Sequence, residues 1–158
     1  MYLRQHSVPL SIGVLFLVCY AILNYSAGGA SVIGCAFETS SPAIDEPLIA
    51  SANDCALNLG THARSLGICS LLLNGTATDV CKFGYAFQHD EPAVCSSAPS
   101  MQLSCYEDLA IRDDDISLCR NLQDSAQQVC DNQVVYARSH PEVRSTLLAA
   151  RGETRFRV

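Results

Sequence analysis

The sequence contains no tryptophan, and charged residues make up only 16% of its 158 residues. Nine cysteines are present, yet no two of them form a Cys-x-x-Cys pair, which excludes most zinc and thiol-redox motifs. Basic residues are fewer than acidic ones, with 10 Lys and Arg against 16 Asp and Glu, which gives a net charge of −6. That balance excludes a general nucleic-acid binder, which needs a positive surface. The length suits one modest domain or a short row of repeats.

Motifs that carry catalysis are also missing. The chain has no Gly-x-Ser-x-Gly, no glycine-rich phosphate loop and no His-Glu-x-x-His. His62, His89 and His140 are not spaced as a ligand pair and predict polar helix ends. Asp113-Asp114-Asp115 lacks the glycine and distal glutamate of a calcium loop and predicts a capping cluster. We therefore expect no catalytic residue, no metal site and no cofactor.

The N-terminal segment Val8–Leu23 is almost wholly apolar and follows Arg4. A basic start before an apolar run predicts delivery to a membrane. Residues 1–30 are then either a cleaved signal peptide or a membrane anchor. Cys35, which follows Val32-Ile33-Gly34, also resembles the acylated cysteine of a bacterial lipobox. These alternatives stay open at the level of the sequence.

Cysteine spacing reveals a repeat. From Cys55 onward Cys-x13-Cys occurs three times, and the units start 24 to 26 residues apart, which predicts a repeat architecture. The fourth unit has Arg144 in place of its second cysteine. Cys19 lies inside the apolar segment. The cysteines that follow it are even in number, which is typical of an exported protein with a disulfide framework. These eight are Cys35, Cys55, Cys69, Cys81, Cys95, Cys105, Cys119 and Cys130.

Each unit predicts two helices. Apolar residues recur every three or four positions around the first cysteine, which indicates a helix of three to four turns. Acidic or proline breaks at 90–92, 113–115 and 139–141 then start a second helix of about two turns. The predicted fold is all-α, with about three and a half disulfide-stapled helix pairs behind the N-terminal hydrophobic helix. The predicted divisions are residues 1–30 for the signal or anchor, 31–50 for a linker, 51–150 for the repeats and 151–158 for a basic tail.

The predicted turns narrow the disulfide pairing. Cys119 lies about four residues before the predicted turn at Gln123-Asp124 and Cys130 about six after it, so their Cα atoms can come within the roughly 4.4–6.8 Å that a disulfide needs. Cys105 and Cys119 lie at unequal distances from the acidic break between them, which makes them a poor pair. By the same geometry, and by elimination for the last pair, we predict Cys69–Cys81, Cys95–Cys105, Cys119–Cys130 and Cys35–Cys55.

The third unit resembles a known structural repeat. Cys105-Tyr106-Glu107-Asp108-Leu109-Ala110, followed by Leu118-Cys119 and Cys130, resembles the short cysteine-containing helical repeat of uncharacterised exported proteins of archaea and bacteria. The resemblance implies an extracytoplasmic, disulfide-bonded helical array and no activity. The first unit departs from this pattern, since Gly60 lies five residues after Cys55, at the position where the third unit has Ala110. The pairs Cys95-x9-Cys105 and Cys119-x10-Cys130 also resemble the paired-cysteine helices of mitochondrial intermembrane-space proteins.

These features predict a non-enzymatic protein, secreted or anchored with its C-terminal domain outside, that acts as a structural or protein-interaction module. One alternative is an accessory subunit of a membrane complex of the paired-cysteine type. Another is a secreted inhibitor or hydrolase, although nothing supplies a nucleophile. The expected partners are proteins and, if Val8–Leu23 is uncleaved, the membrane, but no nucleic acid. Asn74-Gly75-Thr76 is a glycosylation sequon on a predicted turn.

Charge is distributed unevenly along the chain. Residues 31–143 contain 15 acidic and 5 basic side chains, whereas four arginines follow from Arg144 onward against the single acid Glu153. The basic tail could contact an anionic partner or lipid headgroups, although a solvated terminus explains it as well.

Overall fold

The structure is a computed structural model that describes residues 7–26, 35 and 46–150, and every regular element in these ranges is helical. Four short 3₁₀ helices lie between the α helices from Glu46 to Ser139. The α helices are α1 Ser7–Ser26, α2 Glu46–His62, α3 Gly75–His89, α4 Gln102–Asp113, α5 Asp124–Ser139 and α6 Pro141–Ala150. The 3₁₀ helices are η1 Leu66–Leu71, η2 Pro92–Ser97, η3 Pro99–Met101 and η4 Ile116–Asn121. The all-α prediction is confirmed for these residues.

Each unit begins with an α helix, and side chains cap the starts of α3 and η4. The Asn74 side-chain oxygen accepts hydrogen bonds from the amides of Thr76, at 2.9 Å, and Ala77, at 3.3 Å, at the start of α3. Asp115 accepts from the amide of Ser117, at 2.9 Å, at the start of η4. These oxygens satisfy amide groups that have no partner within their own helix.

The helices α3 and α4 end in the same way. Asp90 and Asp114, which both lie nine residues after a unit cysteine, have left-handed backbone with φ of 58° and 57°. At the end of α3, the amides of Asp90 and Glu91 both donate to the carbonyl of Ala86. This reversal is a common helix terminus, and aspartate tolerates the left-handed region better than most residues with a side chain. The acidic breaks seen in the sequence are helix stops.

The second element of each inner unit is tighter than the sequence predicts. A two-turn α helix was expected, but η1, η2 and η4 are six-residue 3₁₀ helices. In each, the residue three positions after the cysteine donates to the cysteine carbonyl, at 3.2 Å for Leu72, 3.2 Å for Ala98 and 3.0 Å for Leu122. Six residues between two chain reversals are too few for a stable α helix, and 3₁₀ geometry is usual for such short pieces. Only the last unit, without its second cysteine, continues into the α helix α6.

The helices α2 and α3 approach each other closely at two glycines. A Cβ atom on Gly60 would lie 2.0 Å from the carbonyl oxygen of Cys81, and a Cβ atom on Gly84 would lie 2.7 Å from the carbonyl oxygen of Leu57. Backbone contact at this distance excludes any side chain. Gly60 therefore replaces the alanine of the second and third units because the backbone of α3 leaves no room for a side chain at this position.

Replacing Gly60 by alanine is expected to lower the free energy of unfolding by about 1–3 kcal/mol, because the added methyl group forces α2 and α3 apart. Chemical denaturation of the oxidised protein measures this change. Gly75→Ala is the matched control, since a Cβ atom there meets nothing within 4 Å, and it should change stability by no more than about 0.5 kcal/mol. If Gly60→Ala is as stable as this control, the two helices are not in backbone contact.

The predicted N-terminal segment is helical, since α1 covers Val8–Leu23. Leu15, Phe16 and Leu17 are 63%, 72% and 69% exposed, whereas Leu23 packs against the core. Among the residues that the structure describes, none of the helices combines the length and the apolar character needed to cross a membrane. The assignment of residues 1–30 as a signal or an anchor stays a prediction.

Some predictions concern residues outside the described ranges. They are the cleavage region at 27–30, the lipobox residues before Cys35, most of the 31–50 linker and the basic tail 151–158. Cys35 itself is buried and bonded to Cys55, which leaves no thiol for acylation.

Candidate functional site

Three cystines join α3 to η1, α4 to η2 and α5 to η4. All six of these cysteines are fully buried, and the paired Cα atoms are 5.5–5.6 Å apart. A fourth cystine joins α2 to Cys35, with Cα atoms 5.6 Å apart. The four bridges are Cys69–Cys81, Cys95–Cys105, Cys119–Cys130 and Cys35–Cys55, which are the pairs expected from the sequence. Each of α3, α4 and α5 has one bridge to an earlier 3₁₀ helix, whereas in the paired-cysteine architecture two bridges join the same two helices.

Basic side chains link the C-terminal ends of successive α helices. His89 on α3 contacts the carbonyl oxygen of Ala63, just beyond α2, at 2.8 Å. Arg112 on α4 donates to the carbonyl of Phe87 on α3, and Arg138 on α5 donates to the carbonyl of Asp114 at the end of α4, at 3.0 Å. The last carbonyls of a helix lack partners in that helix and carry partial negative charge, so a basic group from the next unit stabilises them. We call these three contacts the C-terminal caps.

Arg112 has the most partners of the three. Its side chain is only 6% exposed, and its guanidinium group binds Asp90 and, at 2.6 and 2.7 Å, the two carboxylate oxygens of Asp113. The guanidinium carbon also lies 5.1 Å from the centre of the Phe87 ring. Burial acts to lower the pKa of Arg112, but the hydrogen bonds and charges of Asp113 and Asp90 outweigh it and raise the pKa above its ordinary value. Arg112 is therefore charged at any physiological pH and joins α3 to α4.

The structure keeps the three histidines apart. His62 contacts the carbonyl of Asn58 at 2.9 Å, His140 contacts that of Tyr136 at 3.0 Å, and His89 belongs to the C-terminal caps. Each histidine thus interacts with a helix end. Within residues 7–26, 35 and 46–150, no three His, Cys, Asp or Glu side chains are grouped so that they could hold a metal ion.

The three aspartates predicted as a capping cluster have separate roles. Asp113 pairs with Arg112, Asp114 ends α4 and binds Arg138, and Asp115 caps η4. Hydrogen bonds from the hydroxyl and the amide of Ser117 hold the pKa of Asp115 below its ordinary value. The cluster therefore stops one helix, starts the next and connects two units.

The sequon residue Asn74 is exposed and sits at the start of α3. Its side-chain oxygen is occupied by the helix cap, while its amide nitrogen, the atom that a glycan would modify, makes no contact among those described for it. Glycosylation at Asn74 stays a prediction that is compatible with this geometry.

One face of α5 is uncovered where the equivalent faces of α3 and α4 are buried. Val135 and Tyr136 occupy the columns five and six residues after the unit cysteine, and they are 53% and 49% exposed. The two inner equivalents of Val135 are fully buried alanines, and those of Tyr136, Phe87 and Ile111, are 1% and 7% exposed. Val129, 43% exposed, lies about two turns before Tyr136 on the same side of α5. We call Val129, Val135 and Tyr136 the α5 face.

Sequence reasoning missed the C-terminal caps and the α5 face, although a signal for each was present. His89, Arg112 and Arg138 lie seven or eight residues after a unit cysteine, so a repeat alignment extended to those columns shows a basic residue in each unit after the first. The apolar residues Val135 and Tyr136 in an end unit were a similar hint, because a terminal repeat with nothing to cover it is expected to be polar there.

Comparison with protein-family models, with curated proteins and with solved structures finds no match to this chain. The function therefore has to be inferred from the cystines, the C-terminal caps and the α5 face.

Proposed function

We propose that this protein is a non-enzymatic helical array, exported to an oxidising compartment, that binds a protein partner through the α5 face. The observation that carries the proposal is the exposure of Val135 and Tyr136 in columns that are buried in the inner units. Stacked helical repeats commonly present surfaces of this kind to protein partners.

The composition of the α5 face supports a protein partner. The exposed residues between Val129 and Tyr136 on α5 include the uncharged Asn132 and Gln133, whereas the exposed Arg138 lies one turn after Val135 at the edge of the face. Depletion of charge and enrichment in tyrosine are typical of the central part of protein–protein interfaces. The chain as a whole carries a net charge of −6, so a neutral patch on it allows close approach without repulsion.

The cystines support the compartment. Four disulfides in one small domain are consistent with an oxidising environment such as the outside of a cell or the intermembrane space. We propose α1 as the segment that directs export, because its apolar side chains are exposed on a helix at the N-terminal side of the repeats. Intact mass of the purified protein distinguishes a removed signal from a retained anchor.

A photo-cross-linking amino acid at Tyr136, in cells that produce the protein, tests the proposed interface. We expect one discrete adduct, identified by mass spectrometry as an exported protein or as a second copy of this chain. Val135→Gln in the same protein should reduce the adduct strongly, since it places a polar group in the centre of the face. The matched control carries the cross-linker at Leu73, which is 80% exposed but lies outside the α5 face. Equal adducts at both sites, or none at Tyr136, would count against the proposal.

A further inference from the structure

A cleft of about 260 Å³ lies between α4, α5 and α6, at the end of the array that lacks a cystine. Its apolar wall is formed by Ile111, Val134, Ala137 and Pro141. Arg138, Arg144 and Asp114 form the polar wall. The cleft is separate from the exposed α5 face, because Val134 and Ala137 are buried on the other side of α5.

Smaller side chains stand on both sides of this cleft than at the junction one unit earlier. Ile111 occupies the column of Phe87, and Ala137 occupies the column of Arg112. One unit earlier Phe87 and Arg112 pack against each other, with the guanidinium carbon 5.1 Å from the ring centre, and both are buried. At the last junction Ile111 and Ala137 take these two columns, and the side chains of Arg138 and Arg144 also line the cleft. A ligand with an apolar ring or chain would contact the two smaller side chains.

The charge of the polar wall indicates which ligand group fits. Arg138 is neutralised by Asp114. Arg144 donates to the carbonyl of Arg112, and among the described residues no carboxylate forms an ion pair with it. A guanidinium group beside an apolar wall is suited to a carboxylate, which it can bind through two parallel hydrogen bonds.

We propose that this cleft binds a small hydrophobic carboxylate, with its ring or chain against Ile111 and Ala137 and its carboxylate on Arg144. Two sources share this chemistry, namely a free aromatic or aliphatic acid and the C-terminal residue of a peptide that ends in an apolar side chain. The site does not depend on the proposed protein interface, since it uses different residues.

Titration of the oxidised protein with phenylacetate, followed by amide NMR shifts or calorimetry, tests the site. We expect saturable binding with shifts at the residues of the cleft, and binding about tenfold weaker for the uncharged analogue phenylacetamide. Arg144→Gln should weaken phenylacetate binding about tenfold. Arg120→Gln, at an exposed arginine outside the cleft, is the control and should leave the affinity within about twofold.

A second variant tests the packing part of the proposal. Ile111→Phe introduces the larger side chain that the preceding unit has at this position, Phe87. It should fill the cleft and abolish binding, while the protein still unfolds cooperatively. If this variant fails to fold, Arg144→Gln still decides the matter. Equal binding of phenylacetate and phenylacetamide, or an unchanged affinity in Arg144→Gln, would overturn the proposal. A short peptide that ends in phenylalanine, tested as its free acid and as its C-terminal amide, distinguishes the two sources of the ligand. If the peptide acid binds more tightly than phenylacetate, the ligand is the C-terminus of a peptide. If phenylacetate binds more tightly, the ligand is a free acid.

Discussion

Replacing Cys95 and Cys105 together by alanine is expected to lower the free energy of unfolding by about 3 kcal/mol. The bridge closes a sequence separation of 10 residues, and cross-linking a loop of this length restricts the unfolded chain by about that amount in the chain-entropy description. Both side chains are also fully buried, so their removal leaves a small cavity that adds to the loss. Because neither η2 nor α4 is long enough to be stable alone, we expect the loss to spread through the domain.

Equilibrium unfolding in guanidinium chloride measures the change, with helix content followed by circular dichroism. Cys19→Ala is the control for cysteine removal, since Cys19 is free and exposed, and its stability should equal that of the parent protein. Reduction of all four bridges should abolish the cooperative transition. A double variant that loses less than about 1 kcal/mol would mean that the cystines add little to a fold that packing already secures.

The cysteine spacing predicted the architecture because it records the geometry of the units directly. A buried pair such as Cys119 and Cys130 must lie at similar distances from the turn between them, and that requirement, applied to the turn predicted at Gln123-Asp124, identified the pair. The acidic residues inside the second and third units predicted the breaks between helices, as at Asp90 and Asp114, where α3 and α4 end. The repeat of about 25 residues was therefore sufficient to predict most of the local structure.

Other features depend on how the units stack, and local sequence does not report that. Arg112 contacts Phe87 and Asp90, which lie 25 and 22 positions earlier in the chain. The 3₁₀ geometry of η1, η2 and η4 reflects the two chain reversals that confine six residues. The exposure of Tyr136 follows from its place in the last unit, since its inner equivalents are buried. For Arg112 and Tyr136 the deciding neighbour belongs to another unit.

Replacing Arg112 by alanine is expected to lower the free energy of unfolding by about 2–4 kcal/mol. The variant loses charge-assisted hydrogen bonds to Asp90 and Asp113, each contributing on the order of 1.5–3 kcal/mol where well formed. Asp90 is 72% exposed and Asp113 36% exposed, so water replaces part of that interaction and the total falls well below the sum. The larger part comes from the carbonyl of Phe87, which loses its buried donor, and from the uncovered Phe87 ring.

Arg112→Lys separates charge from geometry. Lysine keeps the positive charge but cannot bind a carboxylate through two parallel hydrogen bonds or stack flat on Phe87, so roughly half of the loss should remain. Arg120→Ala is the control, because Arg120 is exposed on η4 and its removal should change stability by no more than about 0.5 kcal/mol. Unfolding of the oxidised variants in urea at low and high salt supplies the measurement, and the difference between parent and Arg112→Ala should persist in high salt because the guanidinium group is buried. An Arg112→Ala variant as stable as Arg120→Ala would show that the cystines alone hold α3 and α4 together, and that the C-terminal caps are incidental to the stacking.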